Sequence, residues 1–291
     1  MRLLVMMLMG LALGAGGAAA RPGLDASLGA DGVTVLEDGK PVLFYRTRSA
    51  NPGAQPGRLN YIHPLYAPDG TVLTEDAPAD HPNQRGLFWA WDRVLVKGRP
   101  VADGWFMQGL TFLVRKTRFE GLADGSAVLT IDADWIGHSG PELLFLAAEE
   151  TKVHVFKLSG TLRRLDFDTT ITPKVDGLAL AGSPDFKGYG GFTMRLIDPQ
   201  ALSFASDGRA VRPAAGPVSA GSSMGFAWSK EGPAWGVGLS CKANGAPLTR
   251  WILRREASMQ NCVFPGARPY PLVKETPLRL QASLVIEPTR R

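Results

Sequence analysis

The sequence predicts an all-β fold of antiparallel strands, and three observations carry that prediction. Apolar and polar residues alternate with period two over long stretches, Asp-Gly pairs punctuate them, and convincing helical periods are scarce. Side chains of a strand point to opposite faces in turn, so alternation marks a strand with one buried and one wetter face. With 34 Gly, 22 Pro and no heptads, the chain reverses often, which leaves a sandwich or a barrel as the architecture.

In chain order, Glu37-Asp38-Gly39 and Pro68-Asp69-Gly70 are the first turn signals, followed by Ala123-Asp124-Gly125 and Ser206-Asp207-Gly208. Leu129, Ile131, Ala133 and Trp135 alternate with Thr130, Asp132 and Asp134. The stretch LLFLAAEETKVHVF at 143–156 opens with helix formers, but Val153, Val155 and Leu158 fit a strand better. Leu165, Phe167, Thr169 and Ile171 alternate with Arg164, Asp166, Asp168 and Thr170, and Leu278, Leu280, Ala282, Leu284 and Ile286 share one face. RPAAGPVSAGSS at 212–223 reads as a long loop. No internal repeat and no linker divides the chain.

The chain opens MRLLVMMLMGLALGAGGAAARPG. One Arg, an apolar run and three alanines form the pattern of a secretory signal peptide, with cleavage expected after Ala20. The run is too short and glycine-broken for a membrane span. Residues 1–20 are therefore expected to be a signal peptide, and 21–291 one β-sandwich domain, periplasmic or secreted, with no membrane insertion after cleavage. The net charge of +5 is mild and has no basic run, which argues against nucleic acid as a partner. Cys241 and Cys262 would meet an oxidising compartment. A disulfide between them, worth roughly 3 kcal/mol, is the expectation, with two buried thiols as the alternative.

Chemistry concentrates in EDAPADHPNQRGLFWAWDRV, residues 75–94. His63 and His81 each precede a proline, which favours extended geometry and presents each imidazole from a stiff corner. Imidazoles titrate near working pH and suit proton transfer, with turn-capping residues as the structural alternative. His154, between Val153 and Val155, reads as a satisfied structural residue. Asn83 and Gln84 are neutral amides suited to sugar hydroxyls, and Arg85 can hold an anionic or ring oxygen with two donors. Trp89 and Trp91 share a strand face, and Trp105 follows. Such rings stack on sugars or fill cores, and residue type alone leaves both open. No HxH, HExxH or cysteine spacing marks a metal site, and no cofactor is expected. The glycines around Tyr189, in GYGGFTMR, suggest close approach by a ligand or another backbone. One of Glu149 and Glu150 would supply the carboxylate opposite a His.

NYIHPLYAPDGTVLTEDAPADHPNQRGLFWAW, ADGW at 102–105, GYGGFTMR and TRWILR…FPGARPYP together resemble the bacterial PmoA-like ("methane oxygenase PmoA") domain family. The likeness runs over most of the mature chain. It implies an antiparallel β-supersandwich similar to galactose mutarotase-like proteins, and a carbohydrate role by association. His63, His81, Arg85, Glu150, Tyr189 and Arg195 match the family pattern. Many members read His-Pro-His-His where this chain has His81-Pro82-Asn83-Gln84, which weakens a metal or multi-His mechanism. The resulting expectation is an enzyme, an epimerase, lyase or hydrolase, acting on a sugar or glycoside. His63, His81, Arg85 and Glu150 would be catalytic; Asn83, Gln84, Trp89, Trp91, Trp105, Tyr189 and Arg195 would bind substrate. A non-catalytic glycan-binding protein is the alternative, and a metal-dependent oxygenase a more distant one.

Overall fold

The structure, a computed structural model, describes residues 23–49, 57–139, 142–197, 201–228, 235–256 and 259–289. The expected signal peptide lies outside them. Every regular element among the described residues is a strand, and every pairing is antiparallel. Among the described residues no helix is long and apolar enough to cross a membrane.

Two large sheets dominate. The first has nine strands, in the spatial order Leu24–Leu28, Gly32–Glu37, Lys40–Arg46, Tyr61–Leu65, Leu87–Trp91, Gly190–Arg195, Met259–Val263, Arg250–Ile252 and Val218–Ser219. The second has ten: nine run in the order Arg209–Ala210, Ser203–Ser206, Ser223–Trp228, Trp235–Ala243, Leu278–Pro288, Arg163–Pro173, Glu142–Val155, Ala127–Ser139 and Leu110–Gly121, and the short Ala246–Pro247 pairs with Trp235–Ala243.

 Ala246–Pro247 is thus its tenth strand. A smaller third sheet runs Tyr270–Pro271, Leu178–Ala181, Arg93–Val96 and Arg99–Ala102.

The alternation read from the sequence is the burial pattern of the second sheet. Leu129, Ile131, Trp135, Leu165, Phe167, Ile171, Leu280 and Leu284 all point inward, and their polar neighbours point out. From the first sheet, Val33, Val35, Leu43, Ile62, Leu87, Phe192 and Met194 share one apolar core with Leu129, Ile131, Leu165, Phe167 and Leu284, a sandwich-like arrangement; Trp135, Ile171 and Leu280 belong to a second cluster with Trp91. Several turn signals form as expected. Asp38-Gly39, Asp207-Gly208 and Asn244-Gly245 all take positive φ and close two-residue hairpins. At the sandwich edge, Arg163 and Glu37 form a buried ion pair between the sheets.

Two glycines show why the first sheet holds its shape. A Cβ on Gly86 would stand 1.9 Å from the Ile62 carbonyl oxygen, and one on Gly191, at φ +114, 2.1 Å from that of Cys262. The glycine-rich stretch around Tyr189 therefore serves backbone-to-backbone approach. Cys241 and Cys262 project from different sheets into the shared core as two free thiols. This corrects the expected disulfide. Burial raises the Cys241 thiol's pKa, and exchange needs the thiolate.

Candidate functional site

Strand pairing decides which side chains share the outer face of the first sheet, away from the core. Arg46 lies opposite Tyr61, Phe88 opposite Thr193, and Thr193 opposite Asn261. Tyr61 and Phe88 stand on neighbouring strands paired through Ile62 and Leu87. These five residues make a row across the sheet. His63 and Arg195 lie one step along on the same face. Tyr61, Phe88, Ala90, Trp105 and Met259 form an apolar cluster there, with Tyr189 against it.

Loops add the charges. The Asp76 carboxylate accepts from Tyr61 Oη and from Arg85 Nη1, each at 3.1 Å. Burial, with help from Asp76, raises the Tyr61 phenol's pKa. His63 Nδ1 lies 3.0 Å from Thr74 Oγ1, which also accepts from the Leu65 amide. Burial lowers the His63 pKa; the Asp76 charge opposes this, and Arg46 and Arg85 reinforce it. Burial thus favours the neutral imidazole, the form a general base needs.

Arg58 is 1% exposed and lies 4.3 Å from the Phe88 ring centroid. It donates to the carbonyls of Gly104 and Trp105 at 2.5 and 3.0 Å. Trp105 packs against Tyr189 at 5.3 Å and Phe88 at 6.1 Å. Tyr189 Oη accepts from Arg254. Tyr61, Phe88, Arg58, Arg85 and Trp105 are all buried, and this face is partly exposed at Arg46, His63, Asp76 and Tyr189. Buried polar atoms with no hydrogen-bond partner among the described residues include Arg46 Nε, Arg58 Nε and Asn261 Oδ1. All three residues belong to this face, and Arg58 and Asn261 lie beneath its surface.

The sequence-predicted residues divide accordingly. His63, Arg85, Trp105, Tyr189 and Arg195 gather on or beside this face. Gln84 Oε1 accepts from Arg195 Nη1 at 2.7 Å, and Glu75 accepts from Arg195 Nε at 2.8 Å. These contacts clamp the 75–86 loop, with the buried Asn83, onto the sheet. His81 sits on the loop's outer side, 2.9 Å from Asp80.

Two expectations of placement are corrected. Trp89 and Trp91 do share a face, their rings 6.2 Å apart and nearly parallel, but that face is the interior. Trp91 donates to the Phe264 carbonyl, and Trp89 lines a cavity of about 20 Å³ with Tyr45, Asn60 and Glu149. Their strand is covered on both sides, by the second sheet and by the Arg58 and Trp105 layer. Glu150 stands on the outer face of the second sheet, paired with Lys152 and Arg118 beside a polar hollow of about 730 Å³. The sandwich separates it from His63. Glu149 instead points inward and accepts from Trp135, Thr151 and Asn60 at 2.7–2.8 Å. His154 is satisfied by Ser126 Oγ at 2.7 Å.

Sequence reasoning missed Arg46, Arg58, Tyr61, Thr74 and Asp76. Tyr61 and Asp76 lie inside the quoted motif stretch and were passed over for the histidines beside them. It also missed Asp92, a half-buried carboxyl at the end of Leu87–Trp91 whose pKa is raised to about 6 by burial and by Asp103. Among the described residues no trio of His, Cys, Asp or Glu is placed to hold a metal ion.

Comparison with curated proteins finds no match. Residues 32–290 match the model of a family of unknown function, DUF6807, and the chain belongs to that family.

Proposed function

We propose that this protein acts on a sugar or glycoside by acid–base chemistry at the outer face of the first sheet, as a periplasmic or secreted enzyme. One observation carries the reading: a partly buried imidazole, His63, stands with the Asp76–Arg85–Tyr61 hydrogen-bond network on the face that also holds Trp105 and Tyr189. In this reading His63 takes a proton from the substrate. Arg85, its orientation fixed by Asp76, stabilises the negative charge that develops. Tyr189 offers a partly exposed ring to the C–H face of a sugar.

The same proposal includes a galactose mutarotase-like supersandwich, supported by two facing antiparallel sheets of nine and ten strands, and a PmoA-like relationship resting on the shared motifs. A glycan-binding protein without turnover is the second reading. It is favoured by the place of Glu150 on the outer face of the second sheet, which leaves the expected pair of His63 and that carboxylate unassembled. Incubation with oxidised and unoxidised glycosides, with products identified by mass, separates the two. The expected result is turnover that falls by about 10²–10⁴ in kcat/KM in His63→Ala, with thermal unfolding changed by only a few degrees. Binding without any product supports the second reading, and full activity in the variant removes His63 from the chemistry.

A further inference from the structure

Glu150 lines the hollow of about 730 Å³ on the outer face of the second sheet. Strand pairing sets out the side chains around it. Glu150 stands opposite Thr170 and Thr170 opposite Arg279, while Lys152 stands opposite Asp168 and Asp168 opposite Gln281. The Asn244-Gly245 turn also lines the hollow and is fastened to the strand Leu278–Pro288. The Asn244 amide donates to the Arg279 carbonyl at 2.7 Å, and Asn244 Oδ1 accepts from the Arg279 amide at 3.0 Å. A second hollow, of about 290 Å³, shares Asp168 and Gln281 and continues to Ser240, Lys242 and Ser283. From Arg279 to Ser283 the strand runs about 13 Å, longer than one sugar ring. Phe167, Leu280 and Ala282 turn into the core, so the side chains facing the two hollows are polar or charged, Pro277 excepted.

Both signs of charge are present and largely matched within the sheet. Glu150 pairs with Lys152 at 2.9 Å and with Arg118 at 3.6 Å, and Arg164 donates twice to Asp166. Asp168 Oδ1 accepts from Gln281 Nε2 at 2.6 Å. Among the described residues, Asp168 Oδ2, Gln281 Oε1 and the Arg279 guanidinium take no hydrogen bond, so acceptors and donors stand open side by side. An anion entering here meets Asp168 and Glu150, a cation meets Arg279 and Lys152, and an apolar group finds only the Pro277 ring. A hydroxyl both donates and accepts, and a run of neighbouring hydroxyls serves both kinds of open group. We propose that this hollow binds a neutral oligosaccharide or polysaccharide chain through its hydroxyls, at a site apart from the one on the first sheet. Asp168 and Gln281 accept from the chain, and Arg279 and Lys242 donate to it. The inference does not depend on proton transfer at His63.

Calorimetric titration with cellohexaose, maltohexaose, xylohexaose and mannohexaose, set against the parent monosaccharides and the hexamer of galacturonate, tests this. At least one neutral hexasaccharide is expected to bind about tenfold or more tightly than its monosaccharide, and to hold its affinity as salt is raised, since the chain carries no charge. Asp168→Ala and Arg279→Ala should each weaken that binding about tenfold. Both side chains are exposed, and thermal unfolding checks that the variants are folded. No binding by any neutral hexasaccharide, or binding no tighter than that of the monosaccharides, would overturn the proposal. So would a galacturonate hexamer that binds as well as the neutral chains, or binding left unchanged by both substitutions. The acid–base reading of the first sheet stands or falls separately, on turnover and its loss in His63→Ala.

Discussion

Asp92 follows the strand Leu87–Trp91 half-buried, repelled by Asp103 and Asp185. Its neighbour Arg93 is spent on the carbonyls of Gly182 and Ala267. The folded carboxyl therefore titrates at about 6, raised from 3.8. Between those values the folded chain binds more protons than the unfolded one, so stability falls as pH rises, and the full cost is present above pH 6. Asp92→Asn should stabilise the protein at pH 8 by about 1 kcal/mol after allowing for solvent screening. That corresponds to a rise of about 2 °C in Tm, and the gain should vanish at pH 4. Thermal scans at the two pH values check it; an equal gain at both would mean the carboxyl is not strained. A destabilised acid beside a candidate site is a pattern that function maintains. In the sequence, an Asp after a Trp-rich strand looks like an ordinary solvated strand end, because the two other carboxylates arrive from distant loops.

Glu142–Val155 illustrates what one strand makes legible. Val153 and Val155 point inward, and the same parity carries Thr151 and Glu149 inward and Glu150 out. That parity was available in the sequence, but chemistry was sought in the carboxylate and not in its face. Glu149 joins Trp135 and Thr151 of the second sheet to Asn60, which accepts in turn from Tyr45 of the first. Glu149→Ala strips three donors of their acceptor and should cost about 3 kcal/mol, whereas Glu150→Ala should cost under about 0.5 kcal/mol. Urea unfolding of both variants measures the difference, and similar costs would contradict the inward role. In Leu87–Trp91 parity could not decide, since Leu87, Trp89 and Trp91 alternate with Phe88 and Ala90 and both faces are apolar. Only tertiary packing separates the core face from the site face.

Across the whole molecule, the strands and Asp-Gly turns were legible because alternation and positive φ are local properties. Pairing order was not. Leu87–Trp91 lies between Tyr61–Leu65, close in sequence, and Gly190–Arg195, a hundred residues on, and that long-range pairing brings Tyr189 towards Trp105. The same long-range geometry sets Cys241 of one sheet against Cys262 of the other, both sealed in the core. Thiol titration of the folded protein should therefore find neither cysteine, and titration in denaturant without reductant should find two. No thiols in denaturant would show that a disulfide ties the sheets together. Face assignment also explains the division of the predicted site residues: His63 and Arg195 stand on the site side of the first sheet, Trp89 and Trp91 on its core side, and Glu150 on the second sheet.

The outer face of the first sheet as the place where sugar binds is tested most directly by fluorine NMR of protein labelled with 5-fluorotryptophan, titrated with a small sugar or glycoside that the protein turns over or binds. The Trp105 resonance is assigned by its loss in Trp105→Phe. The predicted result is a saturable shift of the Trp105 signal, with the signal of core Trp135 unmoved. Saturation of the protein with sugar while Trp105 stays fixed would contradict it.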